Sequence, residues 1–242
     1  MDDISDLEAL RAHVGELTTI AAHKIMPRLD RHARAFIALS PFLVLATADG
    51  AGGVDASPRG DAPGFVAMLD DTTLLIPDRP GNRRVDSFSN VLRHAGVGLI
   101  LFVPGFNETV RVNGTARVVT DAAILAPLAA QGKVPATGLV VSIREVFFHC
   151  GKALIRSRLW DASCQVSRDT FPSLGRIVAE QTAVMSVEAA EDFVARGPPV
   201  RTVHALSAVK AAPSIVVGPQ PAKRRVPYRR EAPSPVAICS PV

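Results

Sequence analysis

Between residues 42 and 119 the chain is cut into short β-prone runs by tight turns, and this pattern limits its fold more than any other feature. FLVLATA (42–48), VDASP (54–58), GFVAML (64–69) and TTLLIP (72–77) are joined by compact turns, among them a glycine-rich DGAGG and an Asp-Asp pair. Runs this short, linked by this turn chemistry, pair as an antiparallel meander. Two further runs, VGLILFVP (97–104) and TVRVNGTARVV (109–119), flank a PGFNE turn, and LVVSIREVFFHC (139–150) supplies a last strand. Asn113-Gly114 leaves two readings open: a hairpin between alternating valines, or one continuous strand with a glycine bulge.

Helical periodicity occupies the flanks. Ser5 and Glu8 form a capping-box pattern ahead of Leu7, Leu10, Val14, Leu17 and Ala21, which predicts one helix running to Lys24 and broken by Pro27. Residues 31–39 read as a second helix stopped by Ser40-Pro41, residues 85–94 as a third, and Asp121 caps a fourth that extends to Ala130. Two or three more follow to Ala195. Roughly six strands with helices at their corners predict a mainly β, α+β-class fold in which a small antiparallel barrel closes to remove its edges.

The segment LIPDRPGNRRVDSFSNVLRHAGVGLIL (75–101) carries the first chemical signal. Arg83 and Arg84 lie between an apolar strand and a helix start. Guanidinium groups fork onto phosphate oxygens, and amide donors at a helix start add to the attraction. A solvated loop with two surface arginines is the competing reading.

A hydrophobic content of 48% with 21% charged residues describes a globular chain, and the longest apolar runs, 42–46 and 97–103, are too short to span a bilayer. Asp2, Asp3 and Asp6 replace the basic opening of a secretory signal, so cytoplasm is the expected location. Cys150, Cys164 and Cys239 have no close partner in sequence, which favours reduced thiols over a disulfide framework or zinc cluster. The excess of positive charge belongs to the C-terminus. Lys210, Lys223, Arg224, Arg225, Arg229 and Arg230 against Glu231 leave residues 206–242 at +5, while the whole chain is +4, so the body is close to neutral. Seven of the 19 prolines also fall there, and disorder is the expectation for this stretch. Such a tail can touch nucleic acid electrostatically, but Tyr228 is its single aromatic and a solvated basic tail is the simpler account.

The ordered set VDASPRG (54–60), LIPDRPGNRRVDSFSNV (75–91), VGLILFVPG (97–105), ETVRVNGTARV (108–118) and FFHCGKALIRSRLW (147–160) resembles the pyridoxamine 5′-phosphate oxidase-like flavoproteins. Within them it is similar to a bacterial subfamily with SPRGD, DRPGN and FFHCxKA-type segments, not to the vitamin B6 enzyme itself. The likeness spans residues 30–185. It implies a six-stranded antiparallel split β-barrel that forms a homodimer and binds FMN between subunits. It further implies that Arg83 and Arg84 hold the FMN phosphate, that Arg59 follows the strand beneath the flavin, and that residues 54–58, Ser57 and Pro58 included, lie beside the ring system. Pro77 and Asp78 would run along the ribityl chain, and Thr109 and Arg111 would reach toward the flavin from the same or the partner subunit. The implied organisation is an N-terminal helical segment (1–30), the split-barrel domain (31–160), C-terminal helices (161–205) and the basic tail (206–242).

Each assignment has a plainer competitor. Arg59 could pair with Asp61, and Arg111 with Glu108 or Asp121. Lys152, Arg156 and Trp160 are candidates for binding an anionic substrate, yet Lys152 and Arg156, with Arg158, suit a solvated helix face and Trp160 suits a core or interface position. His149 and Cys150 have no other ligand at metal spacing, so no metal is expected. The arginine and histidine pattern with which the B6 enzyme clamps its substrate has no match in residues 161–205, so pyridoxamine phosphate oxidation is not expected. Gly197-Pro198-Pro199 also stops the C-terminal helix earlier than the subfamily implies. The function expected from the resemblance is an FMN-dependent oxidoreductase acting on a small organic substrate, with NADH or NADPH as a candidate electron donor and no catalytic acid or base identified. A flavin- or tetrapyrrole-binding module without turnover is the alternative, and a nucleic-acid-associated protein acting through the tail a remoter one.

Overall fold

Strict alternation builds the centre of the molecule. In β1 (Phe42–Ala48), Leu43 and Leu45 are fully buried while Val44 and Ala46 face the other way, and β5 (Gly96–Phe102) repeats the pattern with Val97, Leu99 and Leu101. The computed structural model describes residues 3–196. Its strands form a single antiparallel sheet in the order β2-β1-β5-β6-β7-β4-β3, completed by β2 (Val54–Gly60), β3 (Ala67–Met68), β4 (Thr73–Pro77), β6 (Thr109–Val119) and β7 (Gly138–His149). Counting the two-residue β3, the strands number seven, one more than expected. The sheet edges β2 and β3 do not pair with each other among the described residues, so the sheet is split there.

The β1–β2 turn is closed by Asp49, whose carboxylate accepts from the backbone N–H of Ala51 at 2.7 Å and of Gly53 at 2.9 Å. Those bonds hold the Asp49 carboxyl below the usual carboxylate range.

The helices were legible to different degrees. α3 (Arg31–Leu39) follows its expected bounds: Asp30 caps it by accepting from Ala33 N–H at 2.8 Å, and Ala33, Phe36 and Ile37 enter the core. α4 (Asp86–Arg93) buries Ser87 and Val91. The single N-terminal helix expected to reach Lys24 is instead two, α1 (Leu7–Val14) and α2 (Thr19–His23), because Gly15 takes a φ of 85°, outside the helical region, and ends the first. The cap of α1 is Asp6, not Ser5, and neither helix buries a residue. The helix after Asp121 also ends early: α5 (Ala122–Leu125) passes into a 3-10 turn (Ala126–Leu128), since Pro127 has no N–H to continue an α-helix. α6 (Lys152–Ser157), two 3-10 turns, α7 (Leu174–Thr182) and α8 (Val187–Ala195) complete the described chain. The basic tail expected at 206–242 lies outside the described residues.

The main core joins Leu43, Leu45, Leu99, Leu101, Val110 and Val112 of the sheet to Phe36 and Ile37 of α3, and a smaller cluster packs Leu125 of α5 on Leu75, Val119 and Val140. The two readings of Asn113-Gly114 resolve to a continuous strand. β6 pairs along its length with β7, and the register skips Arg144, since Asn113 faces Glu145 while Gly114 faces Ile143. The bulge brings the β7 backbone hard against Gly114, where an added Cβ would stand 2.1 Å from the Ser142 carbonyl oxygen. Gly114→Ala should therefore lower unfolding free energy in urea by about 2 kcal/mol or more, the range of overpacking against an unyielding backbone. An unchanged denaturation midpoint would show that the bulge relaxes freely.

Candidate functional site

β2 is an edge strand with period-two alternation, which sends Asp55, Ser57 and Arg59 to one face, toward α4 and the loop before it. The space between them is a cleft of about 550 Å³. Its walls are residues 55–60 of β2, Pro77 at the end of β4, residues 79–82 of the DRPGN loop, and Arg84, Asp86 and Ser87 at the start of α4, with Phe65 beside them. Ser57, Pro58, Arg59, Pro77 and Arg84 are thus brought together, and Asp78 joins them through Arg59.

Two ion pairs cross between the SPRGD and DRPGN segments. Arg59 Nη1 lies 3.3 Å from Asp78 Oδ1, and in the opposite sense Arg79 Nε bonds Asp61 Oδ2. Arg79 also donates to the Leu128 carbonyl at 2.9 Å. All four paired side chains are between 21% and 35% exposed, so these charges are partly withdrawn from water and their mutual attraction is less screened than at an open surface. The expected competitor, an Arg59–Asp61 pair, is replaced by this reciprocal arrangement.

Arg59 reaches further. Its Nη2 donates to Ser87 Oγ at 3.3 Å, Ser87 in turn donates to Asp55 Oδ2 at 2.9 Å, and the guanidinium lies 5.7 Å from the centre of the Phe88 ring. Its Nε is buried and has no partner. An N–H left that way is costly unless a ligand or water accepts from it.

The two loop arginines separate. Arg83 adopts a φ of 60°, the left-handed region that side chains seldom occupy, and it does not line the cleft. Arg84, the next residue, lines it while staying largely exposed. Its backbone N–H donates to Asn82 Oδ1 at 3.0 Å, and its Nε lies 2.8 Å from Asp86 Oδ2. α4 then begins with no side-chain cap, because Val85 occupies the capping position. The first-turn N–H groups are therefore left by the side chains of the helix for another acceptor.

Thr109 and Arg111 stand away from this cleft. Arg111 lines a second cavity of about 300 Å³ on the opposite face of β1, β5 and β6, with Val44, Ala46, Gly98, Ile100, Asn113 and His149. Its guanidinium lies 5.2 Å from the centre of the Phe147 ring, and among the described residues it forms no ion pair with Glu108 or Asp121. Thr109 faces His149 across the ladder, 1% exposed, with its hydroxyl unpartnered. Lys152 and Arg156 are exposed on α6 and line neither cavity, and Arg158 falls outside that helix as its left-handed cap. Trp160 donates its indole N–H to the Phe106 carbonyl at 2.7 Å, fastening the segment after α6 onto the PGFNE turn. Among the described residues no group of three or more His, Cys, Asp or Glu side chains could hold a metal ion. Arg79, Asp86 and Ser87 went unnoticed as site residues, whereas Asp55 falls within the stretch 54–58 expected beside the cofactor.

The sequence profile of the pyridoxamine 5′-phosphate oxidase family matches residues 29–150, from just before α3 to the end of β7. The chain belongs to this family. Its mainly antiparallel sheet with flanking helices is the family's fold, and the match takes in every wall of the cleft. Among curated proteins none matches the chain in sequence. Solved structures similar to it include HupZ of Group A Streptococcus, 18% identical over 50% of this chain and 93% of that one with a TM-score of 0.41. General stress protein 26 of Bacillus anthracis is 12% identical over 48% and 88%, with a TM-score of 0.37. An FMN-binding protein of Syntrophomonas wolfei is 15% identical over 48% and 82%, with a TM-score of 0.39.

The crossed pairs generate a prediction. In a double-mutant cycle on Arg79→Ala and Asp61→Ala, read by urea denaturation, the coupling energy should be about 1 kcal/mol, the upper end for a partly exposed pair. A coupling near zero would reduce the pair to two surface charges.

Proposed function

We propose that the chain is an FMN-binding oxidoreductase of the pyridoxamine 5′-phosphate oxidase family that acts on a small organic substrate, and that the cleft between β2 and α4 receives the FMN phosphate. The observation that carries this reading is the convergence in one cleft of Arg59, whose Nε is left without a partner, of Arg84 and of the uncapped start of α4. Charge-assisted donors and free helix N–H groups suit a phosphate monoester. The residues present fit the group. Arg84, with Arg83 next to it in the loop, would neutralise the phosphate; Arg59 would supply the orphan N–H; Ser57, Pro58 and Pro77 would form the flanking wall. A volume of about 550 Å³ lies within the ordinary range for small-molecule sites. When bound, the flavin supplies hydride or electron transfer between a reduced donor and the substrate or oxygen, while the chain contributes anchoring and orientation.

The test begins with the visible spectrum of the purified protein and the mass of any released cofactor, followed by addition of NADH or NADPH in air. A yellow protein bleached by either nucleotide supports turnover; a yellow protein bleached by neither supports a binding module. Replacing Arg83 and Arg84 together by alanine should weaken FMN binding by about tenfold or more, most of it from Arg84, and leave riboflavin affinity unchanged. Unchanged FMN affinity would return the loop to a solvated surface.

We also propose a homodimer. The outer face of β1 and β5 presents Val44, Ala46, Gly98 and Ile100 around the second cavity, beside exposed Phe42 and Val54, an apolar surface of the kind subunit contacts cover. Light scattering at micromolar concentration should give twice the chain mass, and a monomer mass with cofactor bound would refute it.

A further inference from the structure

The cleft holds its own anion. Three arginines, Arg59, Arg79 and Arg84, reach it, and each is paired with an aspartate of the same chain: Asp78, Asp61 and Asp86. The pairs are not equivalent. Asp61 and Asp78 are 27% and 35% exposed and tie two segments distant in sequence, whereas Asp86 is 50% exposed and pairs with an arginine two residues away that is itself 74% exposed. An ion pair so open to water contributes little to holding its members in place. Arg84 has another anchor, its backbone N–H on Asn82 Oδ1 at 3.0 Å. Asp86 is also the first residue of α4, at the uncapped end where free N–H groups attract negative charge. It therefore puts a carboxylate beside two attractors at once, the Arg84 guanidinium and the helix start.

We propose that Asp86 is an internal competitor of the anionic ligand: in the free protein its carboxylate pairs with Arg84 beside the open start of α4, must release that guanidinium when a phosphate monoester enters, and so sets the affinity of the cleft for that group. This rests on the phosphate reading of the cleft. It predicts that the acidic side chain closest in sequence to the anchoring arginine weakens binding. A positioning role for Asp86 would require the opposite sign, and the exposure of the pair argues against it.

The experiment compares the full chain with Asp86→Asn, Arg84→Ala and the double variant, titrated with FMN and with riboflavin by quenching of flavin fluorescence. Circular dichroism and thermal melts confirm folding, and Asn keeps the side-chain shape at the helix start. Asp86→Asn should tighten FMN about three- to tenfold, as expected for removing one partly screened like charge beside a dianion, and leave riboflavin unchanged. In the Arg84→Ala background most of that gain should vanish, because the released guanidinium is no longer there. Inorganic phosphate should compete with FMN more effectively on Asp86→Asn than on the unaltered chain. Weaker or equal FMN binding by a folded Asp86→Asn would overturn the inference while leaving the phosphate reading intact. If the unaltered chain binds FMN and riboflavin equally, the phosphate reading itself fails, and the competitor with it.

Discussion

The Arg59 guanidinium ties together three parts of the molecule that the sheet does not otherwise fasten. β2 is an edge strand, hydrogen-bonded on one side to β1 alone, and its residues are at most half-buried. Through Asp78, Ser87 and Phe88 that one side chain links the strand to the loop after β4 and to the first turn of α4. Arg79 makes the return link to Asp61. A planar fork of five donors suits such bridging, which a lysine at either position would not reproduce. The cleft walls are set by these polar ties and border the main core directly, since Phe65 belongs to both and Phe88, beside the Arg59 guanidinium, packs on that core.

Sequence periodicity revealed what burial controls. β1 and β5 could be read because each alternates between a buried and an open face, and α3 because Ala33, Phe36 and Ile37 fall on one stripe between a capping aspartate and a Ser-Pro stop. The N-terminal helix was misjudged for the complementary reason. Leu7, Leu10, Val14 and Leu17 keep helical spacing through Gly15, yet none of them is buried, so nothing opposes the glycine's turn. Asn113-Gly114 carried hairpin chemistry, but the strand is continuous because β5 and β7 both pair across it, a long-range fact that local turn preference does not contain.

The candidate site was legible as a set of segments and illegible as a network. The Arg83-Arg84 stretch stood out by its own chemistry and the SPRGD and DRPGN stretches by the family resemblance, and the fold brings all three segments to one cleft. Which charge faces which could not be read. Arg59 and Asp61 are two apart in sequence at a strand end and invite pairing; instead each finds its partner across the cleft, Arg59 on Asp78 and Asp61 on Arg79. The left-handed backbone at Arg83 was likewise not legible, nor was which of the two adjacent arginines lines the cleft.

That the cleft is rich in both signs follows from its construction. Three guanidinium groups gathered at a half-buried rim would repel one another in a medium that screens less than bulk water. Aspartates at positions 61, 78 and 86 offset that repulsion in the free chain and hold two of the arginines across the cleft. What remains unsatisfied is small and directional: one buried N–H on Arg59 and the amide groups at the start of α4. On the phosphate reading proposed above, such a site is electrically balanced before a ligand arrives, and its selectivity would lie in the few donors that the chain leaves unpaired.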